Sequence, residues 1–339
     1  MRVIDILTIA VVGLAVNSSA DKSRCFTDCE PIQLVDNQIL IGTNVGGRSV
    51  YLALGSAQES AILLDSRGTK RDVFSIENKI IAIDQYKSAG IATHNQLGCL
   101  PAAGVFGRDL LGSCRHSTMI NFDTMQICHD QHPVSIEHLT NSGFKEVRSR
   151  YISGSFEIAV TINWKDYWFK LDTSYEGMFV MPHRRNLSFQ KDRFVERQAF
   201  DIVTRRVSND KTYINKGVWF DGIGYNASIV VTESKSESKC GVGFIKGFNW
   251  LFDYDNQRVY YRKNSLSLGN QSPVGPHIIL KSNNYLIIVS KPINDNNFTL
   301  GDTIFSANAT TVDSSTVCQV LSTLTNSPDW SKMEIKTNR

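Results

Sequence analysis

Phe169-Lys170-Leu171-Asp172-Thr173-Ser174 is an apolar strand that runs into an aspartate and two hydroxyl residues. A fainter partner, Ile62-Leu63-Leu64-Asp65-Ser66-Arg67, places its aspartate 107 residues earlier (172 minus 65). A carboxylate at the end of a buried strand is costly unless something pairs with it or uses it. Two such strand ends in matching surroundings point to two halves that bring their acids together.

Those surroundings repeat in order. Val50, Leu52 and Leu54 alternate with Tyr51 and Ala53, the period-2 pattern of a strand with one buried face. Ala61-Ile62-Leu63-Leu64 is a continuous apolar run, as in a strand buried on both sides. Residues 79–83 and 91–93 read as a hairpin about a turn at Tyr86, and Gly104-Val105-Phe106-Gly107 as a tight glycine-flanked segment. In the second half Ile158, Val160 and Ile162 alternate, and a turn at 163–166 leads to Tyr167-Trp168-Phe169-Lys170-Leu171 and Asp172. Gly241 and Phe244-Ile245 then match Gly107 and Leu110-Leu111, and Leu251-Phe252-Asp253 lies 130 residues after the stretch ending at Asp123. Repetition of a whole supersecondary unit outweighs any single match. Strands dominate, so the expected fold class is mainly β.

Composition sets the frame. A chain of 339 residues with 42% hydrophobic and 20% charged residues supports two or three packed domains. A net charge of +3, with no basic run interleaved with aromatics, argues against nucleic acid and against an anionic membrane as partner. Residues 4–16 are mostly apolar and lead to Ser18-Ser19-Ala20, the pattern of a secretory signal cut after Ala20. No later stretch approaches the ~20 apolar residues of a membrane span, so the mature protein is expected to be secreted or otherwise extracytoplasmic.

Seven cysteines fit an oxidising compartment, and an odd count leaves at least one free. Cys114 and Cys128 flank one predicted hairpin and form the expected pair; Cys25 and Cys29 either close locally or reach Cys99. Sequons at Asn186, Asn226, Asn270, Asn297 and Asn308 are surface markers or chance matches in an Asn-rich chain. The basic stretch 181–199 reads either as a docking site for an acidic partner or as a solvated face. Cys128, His129, His132 and His138 cluster in sequence but lack paired ligand spacing, so neither metal nor cofactor is expected.

The expected organisation is a signal peptide over 1–20, an N-terminal lobe over 21–147, a C-terminal lobe over 148–265, a Ser/Gly/Asn/Pro-rich linker over 266–276 and a small unit over 277–339. The repeated unit, over residues 35–265, resembles the aspartic protease fold in its retropepsin-like or pepsin-like bilobal form. The most specific piece is Gly243-Phe244-Ile245-Lys246-Gly247-Phe248-Asn249-Trp250-Leu251-Phe252-Asp253-Tyr254, similar to the segment that closes a lobe in secreted family members. Leu171-Asp172-Thr173 resembles the Asp-Thr-Gly signature and Leu64-Asp65-Ser66 its Asp-Ser-Gly variant. The final unit resembles a PDZ domain, chiefly through Leu300-Gly301-Asp302-Thr303-Ile304-Phe305-Ser306-Ala307-Asn308.

The resemblance implies two retropepsin-like β-barrel lobes with a PDZ-like tail, and an exported aspartic endopeptidase. Asp65 and Asp172 would be the catalytic dyad, Ser66 and Thr173 the hydroxyls bracing it, and Tyr86 a flap residue. Partners would be a peptide or protein substrate, with a peptide C-terminus at the PDZ-like unit. Two carboxylates about 3 Å apart share one proton, and one activates the water that attacks the peptide while the other protonates the oxyanion. Arg67 and Ser174 stand where the family signature has glycine, which keeps a second reading open: a catalytically inactive, protease-like peptide- or protein-binding protein.

Overall fold

The chain's computed structural model describes residues 29–338, except 36, 46–47, 57–61, 64–72, 77–78, 83–101, 108–115, 131–134, 185–186, 202–205, 234–236, 267, 269–277, 283–284 and 328. The signal segment, Asp65, Ser66, Arg67, Tyr86, Cys25, Cys99, Cys114 and most of the linker lie outside these residues. The first half holds β1 (Glu30–Val35), β2 (Gln38–Val45), β3 (Arg48–Gly55), β4 (Ile62–Leu63), β5 (Val73–Ile76), β6 (Lys79–Ala82), β7 (Ala102–Gly107), β8 (Ser117–Asn121) and β9 (Gln126–Asp130). Helix α1 (Ile136–Asn141) and β10 (Lys145–Val147) lead to the second half. There follow β11 (Ser149–Ile152), β12 (Ser155–Ile162), β13 (Lys165–Leu171), β14 (Phe179–Pro182), β15 (Val195–Asp201), β16 (Arg206–Phe220), β17 (Ile223–Thr232), β18 (Lys239–Cys240), the short helix α2 (Val242–Ile245), β19 (Phe248–Asp253) and β20 (Arg258–Lys263). The last part is β21 (Ile278–Ser282), β22 (Tyr285–Pro292), β23 (Thr303–Ala307), β24 (Thr310–Thr311), α3 (Val317–Asn326) and β25 (Ile335–Thr337). The class is mainly β, built on two large sheets.

Alternation explains the strands. On β12, Phe156, Ile158, Val160 and Ile162 are buried while the residues between them are not. Side chains that point to opposite faces every residue allow one apolar face and one wet one. Two-residue hairpins join neighbouring strands at Ser153-Gly154, Asn163-Trp164, Asp221-Gly222 and Asn308-Ala309, each with both residues at positive φ. That is the type I′ turn, whose twist matches that of the flanking strands.

The duplication expected from the sequence appears in the topology, but in a different alignment. β3 leaves a hairpin with β2, lies parallel to β7, and β7 runs antiparallel to β4. In the second half β13 leaves a hairpin with β12, lies parallel to β18, and β18 runs antiparallel to β14. Hence β3 matches β13, and β4 matches β14. The sequence reading equated Ile62-Leu63-Leu64 with Phe169-Lys170-Leu171, one strand too late in the first half. Both candidate stretches are apolar, and apolarity does not say which strand a run will pair with.

The halves meet where β8 runs antiparallel to β19, with Ile120 opposite Trp250. These two residues are 130 apart, so each faces its own repeat, as expected of a local two-fold axis. Asn249, fully buried, seals the seam: its Oδ1 accepts from the Phe122 N–H at 2.8 Å, and its Nδ2 donates to Asp123 at 2.6 Å. Beneath it Phe220 touches Phe244, Phe248, Trp250 and Tyr261, with ring centroids 4.8–5.9 Å apart.

β1 docks antiparallel on β9, with Glu30 opposite Ile127. This brings Cys29 beside Cys128, and the two form a disulfide with a Cα–Cα distance of 4.1 Å. The expected Cys114–Cys128 pair is thereby corrected: a non-local strand register, not the local hairpin, chose the partner. The C-terminal part has its own core of Leu286, Ile288, Ile304, Val317, Val320, Leu324 and Trp330. Its β22 also pairs with β15, with Ala199 opposite Ser290, so the sheet of the second half continues into it. Among the described residues no helix is long and apolar enough to cross a membrane.

Candidate functional site

Two strand ends meet in the matched positions. β13 ends at Leu171 and continues into Asp172-Thr173; β3 ends at Gly55 and continues into Ser56. The Thr173 hydroxyl donates to the Leu54 carbonyl at 2.7 Å and accepts from the Ser56 N–H at 2.9 Å. The Ser56 hydroxyl donates to the Leu171 carbonyl at 2.9 Å and accepts from the Thr173 N–H at 3.0 Å. Exchanging Leu54 with Leu171 and Ser56 with Thr173 reproduces the same four bonds. This clasp sets the register between the halves residue by residue: the counterpart of Thr173 is Ser56, and the counterpart of Asp172 is Gly55.

Asp172 is therefore the one acid of the clasp. It is 1% exposed, and both its oxygens are engaged. Oδ1 accepts from the Ser174 N–H at 3.0 Å and the Ser174 hydroxyl at 2.5 Å. Oδ2 accepts from the Lys239 ammonium at 2.7 Å. Lys239 comes from β18, opposite Lys170 of β13, so the parallel pairing itself delivers the cation. A buried charge removed from water needs such a partner. Among the described residues the position matched to Asp172 holds Gly55, and the group on the carboxylate is an ammonium rather than a second acid. Asp65, Ser66 and the residue expected as a flap, Tyr86, lie outside the described residues; the hydroxyl that Thr173 meets is that of Ser56.

The loop after Asp172 is held by the turn at Gly241. The N–H of Gly241 donates to the Met178 carbonyl at 2.9 Å and that of Val242 to the Tyr175 carbonyl at 2.8 Å. A Cβ on Gly241 would lie 2.0 Å from the Tyr175 carbonyl oxygen and 2.5 Å from that of Gly177, so no larger residue fits. Burial pushes the Tyr175 hydroxyl far above its ordinary value, helped by Asp210, Glu176 and Asp172. Burial also pushes the Cys240 thiol up, with Asp172 adding to the effect, which leaves this free cysteine unreactive. Cys128, considered as a metal ligand, is spent in the disulfide, and neighbouring His129 shares a 2.9 Å bond with the Thr118 hydroxyl.

A concavity of about 480 Å³ lies over β11–β13 and is lined by Arg150, Glu157, Trp168, Arg184 and Glu237 among others. Arg150 pairs with Glu157 directly across the strands and stacks on Trp168, its guanidinium carbon 4.4 Å from the ring centroid. Arg148 lies 5.2 Å from the same ring and pairs with Asp166 at 2.6 Å. The Thr161 hydroxyl, then Arg148, hold the Asp166 carboxyl below its ordinary value. The result is an aromatic floor between charges of both signs.

Sequence reasoning missed Gly55, Ser56 and Lys239. A signal for the first two was present: Val50, Leu52 and Leu54 followed by Gly55-Ser56 mirror Tyr167, Phe169 and Leu171 followed by Asp172-Thr173. Lys239 carried none, because nothing local shows which strand will lie beside β13.

No family model matches the chain, and no curated protein does. Among solved structures, the chain is similar to a basic 7S globulin from soybean at 10% identity, covering 70% of this chain and 95% of that one, with a TM-score of 0.40. It is also similar to conglutin gamma, a basic 7S globulin from lupine seeds, at 12% identity with the same coverages and a TM-score of 0.39. These matches are to globulins and not to aspartic proteases, and they correct the assignment and the endopeptidase activity expected from the sequence. Of the expected fold, the mainly β class on large sheets is what the described strands show.

Proposed function

We propose that the protein is a non-catalytic, extracytoplasmic binding protein that holds a peptide or protein segment on its second half. The observation that carries the non-catalytic reading is Gly55 opposite Asp172, with Lys239 already on the carboxylate. Asp172 and Thr173 then serve to lock two strand ends together. The Trp168 concavity is the site this reading favours, because an aromatic surface between Arg150, Arg184, Glu157 and Glu237 suits a chain segment carrying both charges. A peptide C-terminus on the last unit fits the same reading: among the described residues β21 pairs only with β22, and α3 packs beside it.

In this proposal the chain forms two β lobes, over 21–147 and 148–265, and a small unit over 277–339. The repeated strand order and the pairing of β12 back onto β16 support it. An exported protein is supported by the signal-like residues 1–20 and by the Cys29–Cys128 disulfide.

The test pairs two assays on purified protein. Incubation with denatured protein substrates between acid and neutral pH is expected to give no cleavage. A peptide array is expected to give mixed-charge binders whose affinity falls about ten-fold in Trp168→Ala, the loss of one stacked aromatic contact. Cleavage that disappears in Asp172→Asn would refute the non-catalytic reading; binders indifferent to Trp168→Ala would refute the site.

A further inference from the structure

Asn163-Trp164 is a type I′ turn, with φ of 46° and 64°. At these positions turn chemistry favours Asn followed by Gly, since a side chain at positive φ is strained and a bulky one most of all. Trp164 nonetheless occupies the second position, and it is 93% exposed. With so little of its surface buried, the side chain adds little to folding and sits where glycine would be easier. A large aromatic held at the tip of a stiff hairpin, at a local cost, is arranged to meet something outside the chain.

The ground around the tip indicates what. The Asn163 side chain donates to the Ser188 carbonyl at 3.1 Å and lies 3.4 Å from Asp192, so the loop after β14 borders the turn. The acids of this region already have cations: Asp192 pairs with Lys216, Asp166 with Arg148 and Glu157 with Arg150. Lys165 follows Trp164 directly, Lys191 and Arg193 flank Asp192 of the bordering loop, and Arg184 lies on the stretch that leads into it; all four are exposed. The whole chain carries only +3, so a run of basic residues here is a local feature that the overall charge does not reveal. The low overall charge argued against an anionic surface as partner; the local distribution reverses that.

We propose that this hairpin tip is a membrane contact, in which Trp164 enters the headgroup layer of an anionic phospholipid bilayer while Lys165, Arg184, Lys191 and Arg193 meet the lipid phosphates. Tryptophan favours that layer because its ring is apolar and its N–H can stay hydrated. Basic side chains within a Debye length of the surface add attraction that salt weakens. One aromatic and a few charges make a reversible, peripheral attachment, not an anchor.

The experiment is co-sedimentation of the full mature chain with phosphatidylcholine vesicles, with and without phosphatidylserine, at low and high salt. Binding is expected only with phosphatidylserine and weaker at high salt. Trp164→Gly is expected to weaken it about ten-fold while leaving thermal stability unchanged or higher, because glycine relieves the positive φ. Lys191→Glu with Arg193→Glu is expected to weaken binding as well. The proposal is overturned if the wild type ignores phosphatidylserine vesicles, or if Trp164→Gly binds them as the wild type does. Capture by poly-glutamate but not by vesicles also overturns it, in favour of an acidic protein partner.

Discussion

Thr173→Val tests the clasp most directly. The substitution keeps the shape of a side chain that is 2% exposed and removes only its hydroxyl. Two groups then lose their partner, the Leu54 carbonyl at 2.7 Å and the Ser56 N–H at 2.9 Å. An unsatisfied buried polar group costs roughly 1–3 kcal/mol. Ser56 is only half-buried, so its N–H falls at the low end, and the expected loss is about 2–4 kcal/mol. Against a total stability of about 5–15 kcal/mol, that is readily measured. Urea unfolding followed by tryptophan fluorescence gives the difference, and hydrogen exchange locates it at residues 54–56 and 171–174. Ser56→Ala removes the mirror-image pair of bonds, and because both hydroxyls belong to one ring of four, the double variant is expected to lose less than the sum, by about 1 kcal/mol. Thr173→Ser keeps the hydroxyl and is expected to cost at most about 1 kcal/mol. A Thr173→Val variant within about 0.5 kcal/mol of wild type, the range of an ordinary surface change, would refute the clasp.

Three further outcomes follow from the same contacts. Lys239→Met leaves the 1%-exposed Asp172 without its cation and is expected to cost about 3 kcal/mol at neutral pH, with most of it recovered on adding Asp172→Asn; an undisturbed single variant in urea unfolding would remove the pair from the account. Gly241→Ala puts a Cβ 2.0 Å from the Tyr175 carbonyl oxygen and is expected to cost more than about 3 kcal/mol or to prevent folding, whereas Gly217→Ala, with nothing within 4 Å, is expected to be neutral or stabilising; equal melting temperatures would contradict this. The Ser265 N–H, then the Asn249 and Ser265 side chains, hold the Asp123 carboxyl below its ordinary 3.8 against a partial desolvation cost. Its stabilisation is therefore present above that pH and lost as pH falls through the lowered folded value. Asp123→Asn should melt earlier than wild type at neutral pH, with the gap closing in acid as pH falls through the lowered folded value; a gap that stays as wide in acid would contradict the assignment.

Much of the local structure was legible beforehand. Alternation at Ile158, Val160 and Ile162 defined β12, and the turn at 163–166 was read from its polar residues. In the last unit the stretch Thr303-Ile304-Phe305-Ser306-Ala307, singled out in the sequence, forms β23. Asp221-Gly222 was an unread hairpin signal that joins the two longest strands, β16 and β17. What misled was the choice between Leu54-Gly55-Ser56 and Leu64-Asp65-Ser66 as the partner of Leu171-Asp172-Thr173. A second aspartate was expected, whereas the position matched to Asp172 holds Gly55.

The amino-acid order was sufficient for the mainly β class, for the 130-residue repeat that sets Ile120 against Trp250, and for the glycine at 241. Each of these rests on periodicity or on a backbone requirement, and both are local. Tertiary structure alone decided that Gly55 faces Asp172, that Lys239 neutralises it, and that Cys128 bonds to Cys29. These outcomes join residues 67 to 119 positions apart through strand register, and a one-strand change in register exchanges every partner while leaving the apolar pattern almost intact.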